Sequence, residues 1–374
     1  MRVVVSSCGT SLLTNQLASA TGDRIRQLLH RHSNSKESEI PVDERQILEA
    51  HGRSCRDQLL AGDAKQARKM SAELNGLLGV YEGRLPDPQD ILFLLQTDTY
   101  LGSVVADAVQ AWLTKVGAHS QVVPIEFLAT NSVDMFYWGI QELAKWCSET
   151  LPGYRQQRYQ IVFNLTGGFK GVQGVLNTLG HVYADEIVYI FENSDSLIHI
   201  PRLPVRWDLD DRIAENLPIL RQLWNHRPVG ADQVRAVPDS LVQVVDGSAT
   251  LSVFGSIAFE QYRKAEQSAY AERLLEPPSG QIVYSRRFQR DANAIREPDR
   301  LRLLNLQIDD FDRYLVEHGN YNPRSLRVHP WGGPPPVPGV THEFYAWSDS
   351  DAARVWFHFQ PDGTAVLDLF GPHL

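Results

Sequence analysis

Ser6-Ser7-Cys8-Gly9-Thr10-Ser11-Leu12-Leu13-Thr14-Asn15 follows the β-branched run Arg2-Val3-Val4-Val5, and Asn164-Leu165-Thr166-Gly167-Gly168-Phe169-Lys170-Gly171 follows Tyr159-Gln160-Ile161-Val162-Phe163. Each is a glycine-bearing turn between a strand pattern and a helical one. In an open α/β sheet such turns lie beyond the carboxyl ends of parallel strands, where outward-facing N–H groups meet ligands. With Lys170 as a charge and Thr10, Ser11 and Thr166 as hydroxyl donors, beside Gly9, Gly167 and Gly168, the pair reads as a site for an anionic ligand. The plainer reading of either turn alone is a tight connection. Neither contains Gly-x-Gly-x-x-Gly or a Walker sequence, so dinucleotide and ordinary ATP binding are poorly served.

Outward from these turns the strand-helix alternation continues. Residues 16 to 89 carry helical apolar spacing, for example Ile25, Leu28, Leu29, Ile47 and Leu48. Asp90 to Gln96 is a buried strand before a helix Leu101 to Leu113; a strand Gln121 to Phe127 precedes a helix from Val133 to about Thr150. A helix Val172 to Tyr183 then leads to two strands, Glu186 to Glu192 and Ser196 to Ile200, around the hairpin signal Asn193-Ser194-Asp195. This order predicts a doubly wound, mostly parallel α/β sheet with an antiparallel extension. Thr97 and Thr99 end a third strand on the same edge and join the candidate ligand set, the alternative being a helix cap.

Bulk properties restrict the partners. A formal charge of −9 over 374 residues excludes a large positive field, so contact with nucleic acid must be local. Cys8, Cys55 and Cys147 are too scattered for a zinc pair or a disulfide framework. No carboxylate cluster suggests magnesium or zinc, and no cofactor or metal is expected. No apolar run reaches the length of a membrane span and no basic leader precedes the first strand, so a cytoplasmic protein without a membrane partner is expected.

The two turns are similar to the ligand loops of the CRISPR-associated Rossmann fold (CARF), the sensor domain of type III antiviral systems. The likeness covers roughly the first half of the chain, residues 1–206. It implies a homodimer that binds a cyclic oligoadenylate, here cyclic tetra-adenylate, through Gly9, Thr10, Ser11, Thr97, Thr99, Thr166, Gly167, Gly168 and Lys170.

Residues 207–275 read as helix Ile213 to Trp224, short helix Ala231 to Val237, a strand pair around Asp246-Gly247-Ser248, and a long helix Phe259 to Leu275. This order resembles a winged helix-turn-helix. DNA is a disfavoured partner, because the short helix sets only Arg235 against Asp232. Glu276-Pro277-Pro278-Ser279-Gly280 is a linker, and residues 280–374 follow as a strand Gln281 to Phe288, a helical region Ala292 to Glu317 and an antiparallel meander. That α+β order, with Ser325-Leu326-Arg327, Ala353-Arg354-Val355-Trp356-Phe357 and His373, resembles the RelE family of ribosome-dependent mRNA interferases. Arg354 projects from one strand face and can clamp a phosphate. Arg327 and His329 share a face if extended, His342 and Glu343 open the next strand, and the resemblance makes His373 the candidate for proton transfer.

The resulting expectation is a CARF sensor that answers cyclic tetra-adenylate by switching on a metal-independent endoribonuclease, cutting mRNA on the ribosome. The alternatives are a transcription regulator built on the winged helix and a sensor that degrades its own ring.

Overall fold

The structure is a computed structural model describing residues 1–17, 23–129, 132–190, 196–204, 207–349 and 351–372. It divides into two compact units, Met1–Arg206 and Trp207–Leu374. The hairpin signal at 193–195 and His373 lie outside the described residues.

The first unit runs β1 (Arg2–Ser7), α1 (Ser11–Thr14), α2 (Asp23–Arg31), α3 (Val42–Ala61), α4 (Ala64–Met70), α5 (Ala72–Val80), β2 (Ile91–Gln96), α6 (Tyr100–Lys115), β3 (His119–Pro124), α7 (Val133–Gln156), β4 (Gln160–Asn164), α8 (Lys170–Tyr183), β5 (Glu186–Ile190) and β6 (Leu197–Pro201). Its sheet has the order β3-β2-β1-β4-β5-β6, parallel throughout except for the antiparallel edge pair β5–β6. Residues such as Val3, Val4, Val5, Leu92, Leu94 and Phe163 are fully buried, as required of central strands covered on both faces. The order reverses direction between β1 and β4. The two glycine-bearing turns follow those two strands, so both open at the switch point where doubly wound sheets bind ligands.

The second unit contains α9 (Asp210–Glu215), α10 (Leu217–Trp224), β7 (Val242–Val245), β8 (Ser248–Leu251), α11 (Val253–Lys264), α12 (Ala269–Glu272), β9 (Ile282–Tyr284), α13 (Arg286–Asn293), α14 (Pro298–Val316), β10 (His329–Pro330), β11 (His342–Trp347), β12 (Ala353–Phe359) and β13 (Ala365–Pro372). A two-stranded hairpin, β7–β8, turns through Asp246 and Gly247, both at positive φ. The five-stranded sheet has the order β10-β11-β12-β13-β9, with β9 parallel to β13 and the rest antiparallel. Phe311 of α14 stacks on Phe344 at 4.7 Å and packs edge-on to Phe357, so α14 covers one face of this sheet.

Three expectations for this unit are corrected. Residues 231–236 form turns rather than a helix, held by i to i+3 bonds such as Gln233 N–H to Gly230 O, because Pro238 follows too soon for a helical ladder. The strand expected to reach Phe288 stops at Tyr284, since Ser285 caps α13 by accepting from Phe288 N–H. The third correction concerns the linker, which separates no independent bodies.

Charged residues of α14 bind the segment before that linker. Asp309, fully buried, accepts from Arg221 Nε at 2.8 Å and Tyr270 Oη at 2.5 Å. Asp312 accepts both Arg227 Nε and Nη2 at 2.8 and 2.6 Å, with Ser279 Oγ at 2.6 Å. Asn305 donates to Tyr270 O and Arg273 O and accepts from Leu275 N–H. Removing one partner of such a buried pair costs about 3–5 kcal/mol. The winged segment and the terminal sheet are therefore parts of one unit.

Candidate functional site

In the first unit the two turns meet backbone to backbone. A Cβ on Gly9 would lie 2.8 Å from Gly168 N, so only glycine allows the contact, and Gly168 itself sits at φ +104°. Ser7 Oγ ties the pair by donating to Gly167 O at 2.5 Å. Beyond this junction α8 begins at Lys170 with an extended Phe169 at its cap position and no capping side chain, which leaves first-turn N–H groups pointing out of the helix end. Lys170 is exposed there.

A carboxylate holds the first turn from beneath. Glu73, on the first turn of α5, is 1% exposed and accepts from Gly9 N–H at 2.7 Å, Ser11 Oγ at 2.8 Å and Ser71 Oγ at 2.6 Å. The second turn packs on it as well: a Cβ on Gly167 would fall 2.4 Å from Glu73 Oε1. Burial, reinforced by this negative charge, pushes the Cys8 thiol far up, so Cys8 is a neutral packing group. The expectation of Ser11 as a phosphate donor is corrected here. Its proton goes to Glu73 and its oxygen already receives Ala72 N–H at 2.9 Å, so it can offer a ligand only an acceptor lone pair.

Over this floor lies a cleft of about 1220 Å³. Thr10, Thr166, Gly9, Gly167, Gly168 and Lys170 line it, as does Ser11, so seven of the nine expected ligand residues come together. The buried Thr166 hydroxyl there has no hydrogen-bond partner among the described residues. Thr97 and Thr99 do not line the cleft. They are buried, bonded to each other at 3.0 Å, and Thr99 Oγ1 accepts Gly102 N–H to cap α6, which is the helix-cap alternative. The opposite wall comes from α4, where Lys65, Arg68 and Lys69 stand at i, i+3 and i+4 on one face. Arg68 Nε is aimed by a 2.9 Å bond to Asn75 Oδ1. Four cations thus rim a cleft in a chain of net charge −9, which is local complementarity for an anion.

The second unit has its own cluster on the sheet face opposite α14. Tyr345 is at its centre. Arg327 Nη1 donates to Tyr345 Oη at 2.7 Å, and the Arg354 guanidinium lies 3.5 Å from the ring centroid. His329 Nδ1 meets Arg327 O at 2.7 Å and its Nε2 meets the buried Glu343 Oε1 at 2.9 Å, so both ring nitrogens face acceptors. Arg354 is 5% exposed; its Nη1 donates to Trp347 O and Ala353 O at 3.2 and 3.0 Å, and its buried Nε has no partner among the described residues. Arg327, His329 and Arg354 therefore converge. His342 does not: strand alternation turns it to the other face, where it stacks on Phe357 at 5.4 Å. Tyr345 was missed by the sequence reading, although its place two residues beyond Glu343 was a usable signal. No group of three or more potential metal ligands occurs among the described residues. No described helix is long and apolar enough to cross a membrane.

Residues 68–203 match the model of a family described as CRISPR-associated protein (Cas_APE2256). The match spans Arg68, Glu73, the second turn and Lys170, and supports a CRISPR-associated protein. No curated protein matches the chain.

Proposed function

We propose that this chain is a signal-activated ribonuclease of CRISPR defence. The first unit receives cyclic tetra-adenylate, as a homodimer around a twofold axis, and the second unit cuts mRNA on the ribosome without a metal. The observation that carries the reading is the cation-rimmed cleft built from two interlocked glycine turns at the switch point of a doubly wound sheet. A ring of identical nucleotides suits an interface in which one patch appears twice. The two guanidinium groups about Tyr345, with His329 beside them, fit a phosphate that gains charge during metal-free cleavage. Activation requires only that the ring bind the active arrangement more tightly than the resting one. The regulator alternative is weakened by the turns at 231–236, which provide no helix for a major groove.

Isothermal calorimetry tests the reception half. One ring should bind two chains, and Lys170→Ala should weaken binding at least about tenfold through the loss of a charge-assisted phosphate contact from each subunit. One ring per chain, or equal affinity in the variant, would remove the reading of this cleft.

A further inference from the structure

We propose that Tyr345 donates the proton to the leaving group when the second unit cleaves RNA; this rests on the ribonuclease reading above. The Tyr345 oxygen accepts from Arg327 Nη1, and its own proton finds no acceptor among the described residues. A hydroxyl whose oxygen is held by a guanidinium donor and whose proton is unclaimed is placed to give that proton to a leaving oxygen. The residue is half-buried on the sheet face opposite α14, so its hydroxyl is not sealed from solvent as its neighbours Glu343 and Arg354 are. Beside it Arg354 is built for an anion. Two backbone carbonyls fix its Nη1, while its buried Nε finds no partner among the described residues, and this unfilled donor in a side chain 5% exposed is what a phosphate oxygen would complete.

In the step, the 2′-oxygen forms a bond to phosphorus and the bond from phosphorus to the 5′-oxygen breaks. The Tyr345 proton moves to that 5′-oxygen, the 2′-hydroxyl proton leaves to water, and the phenolate regains a proton from solvent. The products are a 2′,3′-cyclic phosphate and a 5′-hydroxyl. Arg327, already bonded to the phenolic oxygen, stabilises the charge that appears there, and Arg354 stabilises the charge on the phosphate.

The test uses the full-length protein with cyclic tetra-adenylate and programmed ribosomes. Two messages are compared, one ordinary and one with sulfur replacing the bridging 5′-oxygen at the linkage that the wild type cuts. A thiolate leaves without a proton. Tyr345→Phe should slow cleavage of ordinary RNA by about 10²–10⁴-fold, the range for a positioned acid. The sulfur substrate should restore the variant to near the wild-type rate, and the wild type should cut both messages at similar rates. Equal cutting of ordinary RNA by the variant, or a slow variant that sulfur does not rescue, overturns the assignment. A wild type greatly accelerated by sulfur also overturns it, even if the variant does not fold. If the wild type cuts neither message, the ribonuclease reading itself fails.

Discussion

Glu73→Gln isolates what the buried carboxylate does for the cleft. Gly9 N–H is fixed by the backbone, so the amide must keep its oxygen there and turn its nitrogen toward Ser11 and Ser71. Both hydroxyl oxygens already accept a main-chain N–H, from Ala72 and Leu74, and each can accept again only by swinging its own proton away from its acceptor. Two hydrogen bonds to a charged group, about 1.5–3 kcal/mol each, are thus exchanged for neutral ones of about 0.5–1.5 kcal/mol. The net loss is about 2–3 kcal/mol, which for a unit of this size lowers Tm by about 4–12 °C. Differential scanning calorimetry of the full chain should show this fall in the transition belonging to the first unit. A Tm within 1 °C of wild type would mean that the carboxylate does not organise the turns, and the description of the cleft floor would be wrong.

Thr99→Ala should cost about 1 kcal/mol through the lost α6 cap while leaving ring affinity unchanged; weakened binding in calorimetry would return Thr99 to the ligand set. Arg221→Met, which leaves the buried Asp309 with Tyr270 and the more distant Arg263 alone, should destabilise the second unit by about 3 kcal/mol, and adding Asp309→Leu should recover much of that in urea unfolding. If the double variant is no better than the single one, the charged pair is not the relevant join. Burial, with a smaller push from His329, holds the His342 pKa below its ordinary value, so the unfolded chain binds more protons as pH drops below about 6.5 and stability falls there. His342→Gln should flatten that decline in Tm between pH 7 and pH 5; an unchanged slope would exclude His342 as its source.

The parallel sheet was legible because central strands buried on both faces read as unbroken apolar runs, as at Val3 to Val5 and Ile161 to Phe163, with glycine marking where the backbone turns. Glu73 was not. A lone glutamate in the first turn of the apolar helix Ala72–Val80 reads as a solvent-facing charge at a helix N-terminus, and its burial arises only when Gly9 and Gly167 come from distant strands to cover it. The stripe Lys65, Arg68 and Lys69 is visible as helical spacing, yet nothing local says that α4 folds back toward the second turn. Thr97 and Thr99 were over-read because a strand end on the ligand edge does not fix which way its hydroxyls point. In the second unit, alternation along β11 separates His342 from Glu343 and Tyr345, and this was decidable once the strand was placed. The join through α14 was hidden, since Asp309 and Asp312 resemble surface carboxylates until Arg221 and Arg227 reach them.

The central claim, that the cleft commands cleavage by the second unit, is tested most directly by mapping mRNA ends in a cell-free translation reaction with and without cyclic tetra-adenylate. Wild-type protein should produce new ends within translated codons only when the ring is present, and Lys170→Ala should produce none. Ends that appear equally without the ring, or no ends at all in the presence of a ring shown to bind, would contradict the account.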